Sequence, residues 1–340
     1  MIQIYKPFIK RQDMQSVLSC LVTDDIGPSQ IKDDLINQFA QRFNAKCGTA
    51  VREYYRAVEI VFRSLGLKPE DMVLMSPLSP KIYGDVCRDM DLKILYADVE
   101  PDSACLSFEA AEKLTGTAIS AVVVHYPLGF IPDVQAFKNL NVPVIEDISQ
   151  AVGAEIEGVP AGSFGDYTIV SLEHKNIITA GGGAVVLALS KEAQKGLQPV
   201  LEEISDDMLM SDINASLAII QLSTLNRFLE TRRQIYDIYI QSLLKSHHKS
   251  LHQKDDSLNV PYTFPVLLES SLKKVQQYAR KNKIETIEAF HDAVINYYSN
   301  EEIVYPNARR LLIQTLLFPL YPGLKKDDIS IISKVLATLP

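Results

Sequence analysis

Between residues 28 and 67 apolar positions recur at helical spacing in two segments, SQIKDDLINQFAQRF and REYYRAVEIVFRSLGL, the second closed by Gly66. Beyond them the pattern changes. Short, nearly continuous apolar runs, MVLMSP, LKILYADV, AISAVVVHYP, VPVIED, YTIVSL and AVVLAL, predict strands buried on both faces. Helical patterns lie between them at KIYGDVCRDM, SFEAAEKLTG and DVQAFKNLN. This alternation predicts an α/β chain with a mostly parallel central sheet flanked by helices, and a ligand crevice at the carboxyl ends of the strands.

After about residue 190 the pattern is helical, with a long periodic segment from Ser211 to about Lys249 that reads as one helix or a helix pair. The polar stretch KSHHKSLHQKDDSLN, residues 245–259, has the composition of an exposed loop, and its three histidines, with no accompanying carboxylate geometry, read as solvated residues ahead of a metal site. The remaining VPYTFPVLL, KKVQQYARKNK and DDISIISKVLATL predict a smaller C-terminal α+β domain. The expected division is an N-terminal segment, 1–29, packing on the small domain, a large domain, 30–235, and the small domain, 236–340.

Composition narrows the function. The 340 residues are 47% hydrophobic and 22% charged, enough for a large core. A net charge of −8 argues against a broad surface for nucleic acid or an anionic membrane, and favours a small-molecule partner. No stretch approaches the roughly 20 apolar residues that a membrane span needs, and the first residues lack a leader's apolar core, so a cytoplasmic protein is expected. Cys20, Cys47, Cys87 and Cys105 are far apart without a C-x-x-C pair, which predicts neither a disulfide framework nor a zinc centre.

The chemistry concentrates in residues 144–187, VIEDISQAVGAEIEGVPAGSFGDYTIVSLEHKNIITAGGGAVVL. Asp147 ends one apolar strand, Lys175 follows another, and Gly181, Gly182 and Gly183 read as a turn needing positive φ. Taken singly, each has an ordinary structural reading: a strand-end cap, a solvated lysine, a turn. Taken together, the ordered run resembles the DegT/StrS-type nucleotide-sugar aminotransferase family, whose pattern is IED-x-[AS]-Q-x-x-G-A…G-S-x-G-D…S…K-N…T…G-G. The likeness extends to VVVHYPLGFIPD, YADVEPDS, MSDINASLAIIQL and YPNARRLLIQTLLFPLYPGL, and so covers nearly the whole chain.

The resemblance implies a fold-type I transferase dependent on pyridoxal 5'-phosphate (PLP). Lys175 would form the Schiff base and Asp147 would pair with the pyridine nitrogen, keeping the ring an electron sink. Gln150 would contact the ring and Ser171 would lie near the phosphate. It also implies a homodimer, a nucleotide-linked sugar as substrate and an amino-acid donor. The chain departs from the pattern at the phosphate end, where Glu53, Tyr54, Tyr55, Arg56 and Ala57 replace the family's Ser-Gly-Thr-Ala-Ala run. There Tyr54, Tyr55 and Arg56 are the candidate phosphate donors. Pro80 stands where the family has an aromatic ring stacker, with Tyr83 nearby as its substitute, and Asp207 and Leu209 replace part of an Asn-Tyr-Arg-Met segment. One residue is missing between Ser171 and Lys175. These departures keep a second expectation open, a relative that retains the fold as a binding or regulatory module without catalysis. A dehydratase of the same fold usually has histidine in place of this lysine; here His174 is only adjacent. His125, ending a strand, reads as a structural histidine or a crevice residue.

Overall fold

The computed structural model describes residues 1–11, 13–23, 26–114, 116–253, 259–299 and 304–340. Two helices open the chain, α1 (Asp13–Val22) and α2 (Gln30–Phe43), followed by β1 (Cys47–Val51), α3 (Tyr54–Ser64), β2 (Met72–Met75), α4 (Lys81–Asp89) and β3 (Lys93–Tyr96). The alternation continues through α5 (Phe108–Glu112), β4 (Ile119–His125), α6 (Val134–Phe137) and β5 (Val144–Asp147). A small hairpin, β6 (Glu155–Ile156) and β7 (Val159–Pro160), precedes β8 (Tyr167–Ser171) and β9 (Ala184–Ala188). Helices α7 (Lys191–Glu202), α8 (Asp212–Ser223) and α9 (Leu225–Leu243) come next. The chain ends in β10 (Lys249–Ser250), β11 (Phe264–Leu267), α10 (Leu272–Lys281), β12 (Ile287–Glu288), α11 (Pro306–Gln314), β13 (Thr315–Phe318) and α12 (Lys326–Leu336).

Seven strands form one sheet in the order β1-β9-β8-β5-β4-β2-β3. Strands β3, β2, β4, β5 and β8 run parallel, while β9 turns back antiparallel to β8 and β1 is antiparallel to β9. The expected mostly parallel α/β sheet is thus present. Alternate residues feed two cores: Leu74, Val122 and Val170 on one face, Val73, Val123 and Ile169 on the other. Burial on both faces explains why these strands are written as unbroken apolar runs.

Strand β1 has no counterpart in the sequence reading, which took residues 28–67 as two helices only. CGTAV is too short and too mixed to announce itself, and its pairing with β9 makes it a strand. Its neighbours are as expected: α2 stops at Asn44, in the left-handed conformation (φ 52°), and α3 stops just before Gly66 (φ 68°). The periodic segment from Ser211 is a helix pair, broken at Thr224.

A second sheet, β10-β11-β13-β12, carries its own core of Phe264, Val266, Phe318 and Ile332. The loop expected at 245–259 is partly structured: Lys249 and Ser250 pair with β11 and His248 is buried, while residues 254–258 lie outside the described ones. The N-terminus reaches this region, since Ile2 bridges Ile284 and the Ile4 amide donates to Glu285. The expected boundary at 235/236 falls inside α9. Among the described residues no helix is long and apolar enough to cross a membrane, and no His, Cys, Asp and Glu residues group to hold a metal ion.

Candidate active site

Asp147 is the last residue of β5, in the middle of the large sheet, and is wholly buried. Its two oxygens are fully engaged. Oδ1 accepts from the Ser149 amide at 3.0 Å and the Ser149 hydroxyl at 2.5 Å. Oδ2 accepts from the Tyr83 hydroxyl at 2.9 Å and from the Tyr54 hydroxyl. His125, opposite Asp147 in the β4–β5 register, brings Nδ1 to 3.4 Å of Oδ2. Burial alone would raise this carboxyl, but His125, Ser149 and Tyr54 outweigh it and hold the group down at about 2. Burial and the Asp147 charge push both tyrosines well above their ordinary range, so both are hydroxyl donors at neutral pH.

Glu146, one residue earlier, faces the opposite side of the sheet and does structural work. It accepts from the amides of Gly162, Phe164 and Gly165 and from the Tyr126 hydroxyl, fixing the loop that leads into β8. Burial still leaves its carboxyl raised.

Lys175 lies in the connection between β8 and β9. That loop is closed by Leu172 and Gly183 (2.8 Å) and by Ala180 and Leu172 (2.9 Å), while the Asn176 side chain donates to the Ser171 carbonyl. Gly181, Gly182 and Gly183 all have positive φ, as the turn requires. At Gly183 a Cβ would stand 2.6 Å from the Val51 carbonyl oxygen, so both the conformation and the space demand glycine.

The Lys175 amine opens onto a cavity of about 420 Å³ and donates to Asp292 Oδ2 at 3.1 Å. Burial raises the Asp292 carboxyl, but Lys175 and His291 together bring it below its ordinary value. The cavity holds three cations, Arg52, Lys81 and Lys175, against four carboxylates, Glu53, Asp85, Glu173 and Asp292. Two of the cations are also engaged elsewhere: Arg52 donates to the Leu209 carbonyl at 2.8 Å and Lys81 to both oxygens of Asp85 at 2.5 and 2.6 Å.

Of the residues singled out in the sequence, Lys175, Glu53, Tyr54, Tyr55, Pro80, Gly182 and Gly183 line this cavity. Tyr55 donates to Asp89 at 2.8 Å. Arg56 does not line it; its guanidinium pairs with Glu59 at 2.6 Å. Gln150 accepts from the Leu128 amide at 2.7 Å, and Ser171 is buried with its hydroxyl unpartnered. Tyr83 and Asp147 lie behind Tyr54, away from the cavity. Arg52, Lys81, Asp85 and Asp292 escaped the sequence reading. Asp292 has no local motif to mark it: it arrives from the far end of the chain, where the Lys81 amide donates to the Asp292 carbonyl and Pro80 bridges Ala293.

This seven-stranded mixed sheet, with a buried aspartate ending β5 and a lysine between β8 and β9, has the fold of solved aminotransferases. The aminotransferase TlmJ from Streptoalloteichus hindustanus superposes with a TM-score of 0.92 at 19% identity, over 99% of this chain and 98% of that one. The PLP form of the aminotransferase Spr1654 from Streptococcus pneumoniae does so at 0.88 and 16% identity, over 98% and 97%. In sequence, GDP-perosamine synthase from Escherichia coli O157:H7 is 23% identical over 96% of this chain and 95% of its own length. The model of the DegT/DnrJ/EryC1/StrS aminotransferase family matches residues 7–337, and the chain belongs to that family.

The cofactor of this class fits one end of the site and not the other. Lys175 presents its amine to open space. Asp147, by contrast, has two donors on each oxygen, the full capacity of a carboxylate, and offers no acceptor to a ring nitrogen while Tyr54 remains in place. At the phosphate end, α3 begins at Glu53 without a side-chain cap, so its first amides are available, yet Glu53 itself adds a like charge.

Proposed function

We propose that this chain is a PLP-dependent aminotransferase that aminates a keto-sugar nucleotide at the expense of an amino-acid donor, working as a cytoplasmic homodimer. Family membership assigns the aminotransferase chemistry and, with it, PLP as the cofactor. The observation that carries the reading is the Lys175 amine, directed into a cavity at the carboxyl ends of the strands and large enough for a small ligand. GDP-perosamine synthase is a relative matched along nearly its whole length, which supports a nucleotide-linked sugar as the acceptor.

When bound, the cofactor supplies an electron sink and a carbonyl for the lysine to capture. The chain's own part begins at Lys175 Nζ. Asp292 Oδ2 accepts from that amine at 3.1 Å, so this contact must part before the nitrogen can act as a nucleophile. The exposed apolar side chains of α1, Met14, Leu18 and Leu21, support a self-association surface.

One observation favours a second reading, a relative that binds without catalysing: Asp147 is already saturated by the protein's own hydroxyls. Absorption of the purified chain with added PLP, before and after borohydride, in wild type and Lys175→Ala, separates the two. A band fixed by borohydride only when Lys175 is present supports the aminotransferase. Its absence at saturating PLP leaves the binding protein.

A further inference from the structure

Asp147 has four hydrogen-bond donors on its oxygens, two on each, with His125 Nδ1 beside Oδ2 at 3.4 Å. Three of them are fixed by their surroundings. The two from Ser149 come from the residue two positions along the same chain, and Tyr83 is fully buried on α4, packed against Phe62 at 6.4 Å between ring centroids. Tyr54 differs. It is the first residue of α3, it is only half-buried, and it lines the cavity onto which Lys175 opens while its hydroxyl reaches Asp147, which does not line it. The Tyr54 and Tyr83 rings meet edge to face, centroids 6.2 Å apart, and this contact steers the Tyr54 hydroxyl onto the carboxylate.

We infer that Tyr54 is a plug in the cofactor site: its phenol occupies the ring's place on Asp147, and PLP gains that carboxylate only by displacing the Tyr54 hydroxyl into the adjoining cavity. The inference rests on the proposed PLP-dependent function, and it turns the mismatch between Asp147 and the cofactor into a competition between two aromatic rings for one acceptor. The cavity beside Tyr54, about 420 Å³, gives the displaced side chain somewhere to go. The wild-type chain therefore takes up PLP through an opened minor state, and its apparent affinity is lowered by the fraction of time Tyr54 spends in place.

The test measures PLP binding by equilibrium dialysis and its rate by growth of the Lys175-dependent absorption band, in wild type, Tyr54→Phe and Tyr54→Ala. Thermal unfolding of each variant verifies that it is folded. Tyr54→Phe keeps the ring and removes only the hydroxyl, which guards against a collapse peculiar to alanine. The wild-type rate is expected to level off with rising PLP. Tyr54→Ala is expected to bind about tenfold tighter or more, the factor that a hydrogen bond to a carboxylate is worth, with a rate that keeps rising, and Tyr54→Phe should lie between. Binding by Tyr54→Ala where wild type binds nothing also supports the plug, while removing the aminotransferase function from the natural chain. Wild type loading normally, with both variants equal or weaker, overturns the plug alone and makes Tyr54 part of the cofactor's own cradle. Failure of wild type and both variants to bind overturns the plug and the PLP reading together.

Discussion

Asp147 carries its hydrogen-bond network as an anion, and that has a consequence for acid stability. Its folded carboxyl lies at about 2, below the roughly 3.9 of an unfolded chain. A depressed carboxyl contributes stability that is complete above the unfolded value and is lost as pH falls through the folded one. The contribution is on the order of 2 kcal/mol at neutral pH. Asp147→Asn should therefore lower the urea midpoint at pH 7 and flatten its dependence between about pH 4 and 2; an unchanged slope there would show that Asp147 is not the group responsible. Neighbouring Glu146 gives a test of a different kind. Replacing it with alanine leaves three amides, that of Gly162 buried, and a tyrosine hydroxyl without their acceptor, and urea unfolding should show a loss of roughly 3–5 kcal/mol. At this scale the positions of Asp147 and Lys175, a strand end and a loop, were legible because an ordered motif carries them. The Tyr54–Asp147 bond was not, because it joins residues 93 apart in the chain and nothing near either one announces the other.

Among the elements, the strands that could be read in advance are those buried on both faces, because continuous burial leaves continuous apolar text. Strand β1 escaped because its identity comes from β9, its partner across the sheet, and not from its own five residues. The glycine turn before β9 lies between these cases. Its need for positive φ could be anticipated, but the close approach of the Val51 carbonyl to Gly183 could not, since it depends on β1 being there at all. Gly183→Ala should destabilise by about 1–3 kcal/mol through the left-handed conformation, with further loss from the contact with β1. Chemical unfolding measures the first, and faster exchange of the β1 and β9 amides would report the second.

At the level of the whole molecule, side chains tie helix α9 to the segments that flank the second sheet. Arg232, buried on α9, donates from one nitrogen to the carbonyls of Pro261, Tyr262 and Leu320 at 3.2, 2.7 and 2.7 Å. Burial brings its guanidinium down to about 10, which still leaves it charged at neutral pH. Arg232→Met should lower the melting temperature by about 5 °C or more by leaving three carbonyls without a donor, read by calorimetry. The ion pair between Lys175 and Asp292 spans the same two halves of the chain, and the cavity wall contributed by Pro80 and Lys81 is pinned to the residues around Asp292. The cavity beside Lys175 is therefore not a property of the large sheet alone. Whatever fills it is clasped by both halves, so occupancy and the cohesion of the C-terminal half are thermodynamically linked. A tight ligand should act as a rivet that delays the release of residues 260–340 on heating, and a mutation that loosens that half should be felt first as leakage from the chamber.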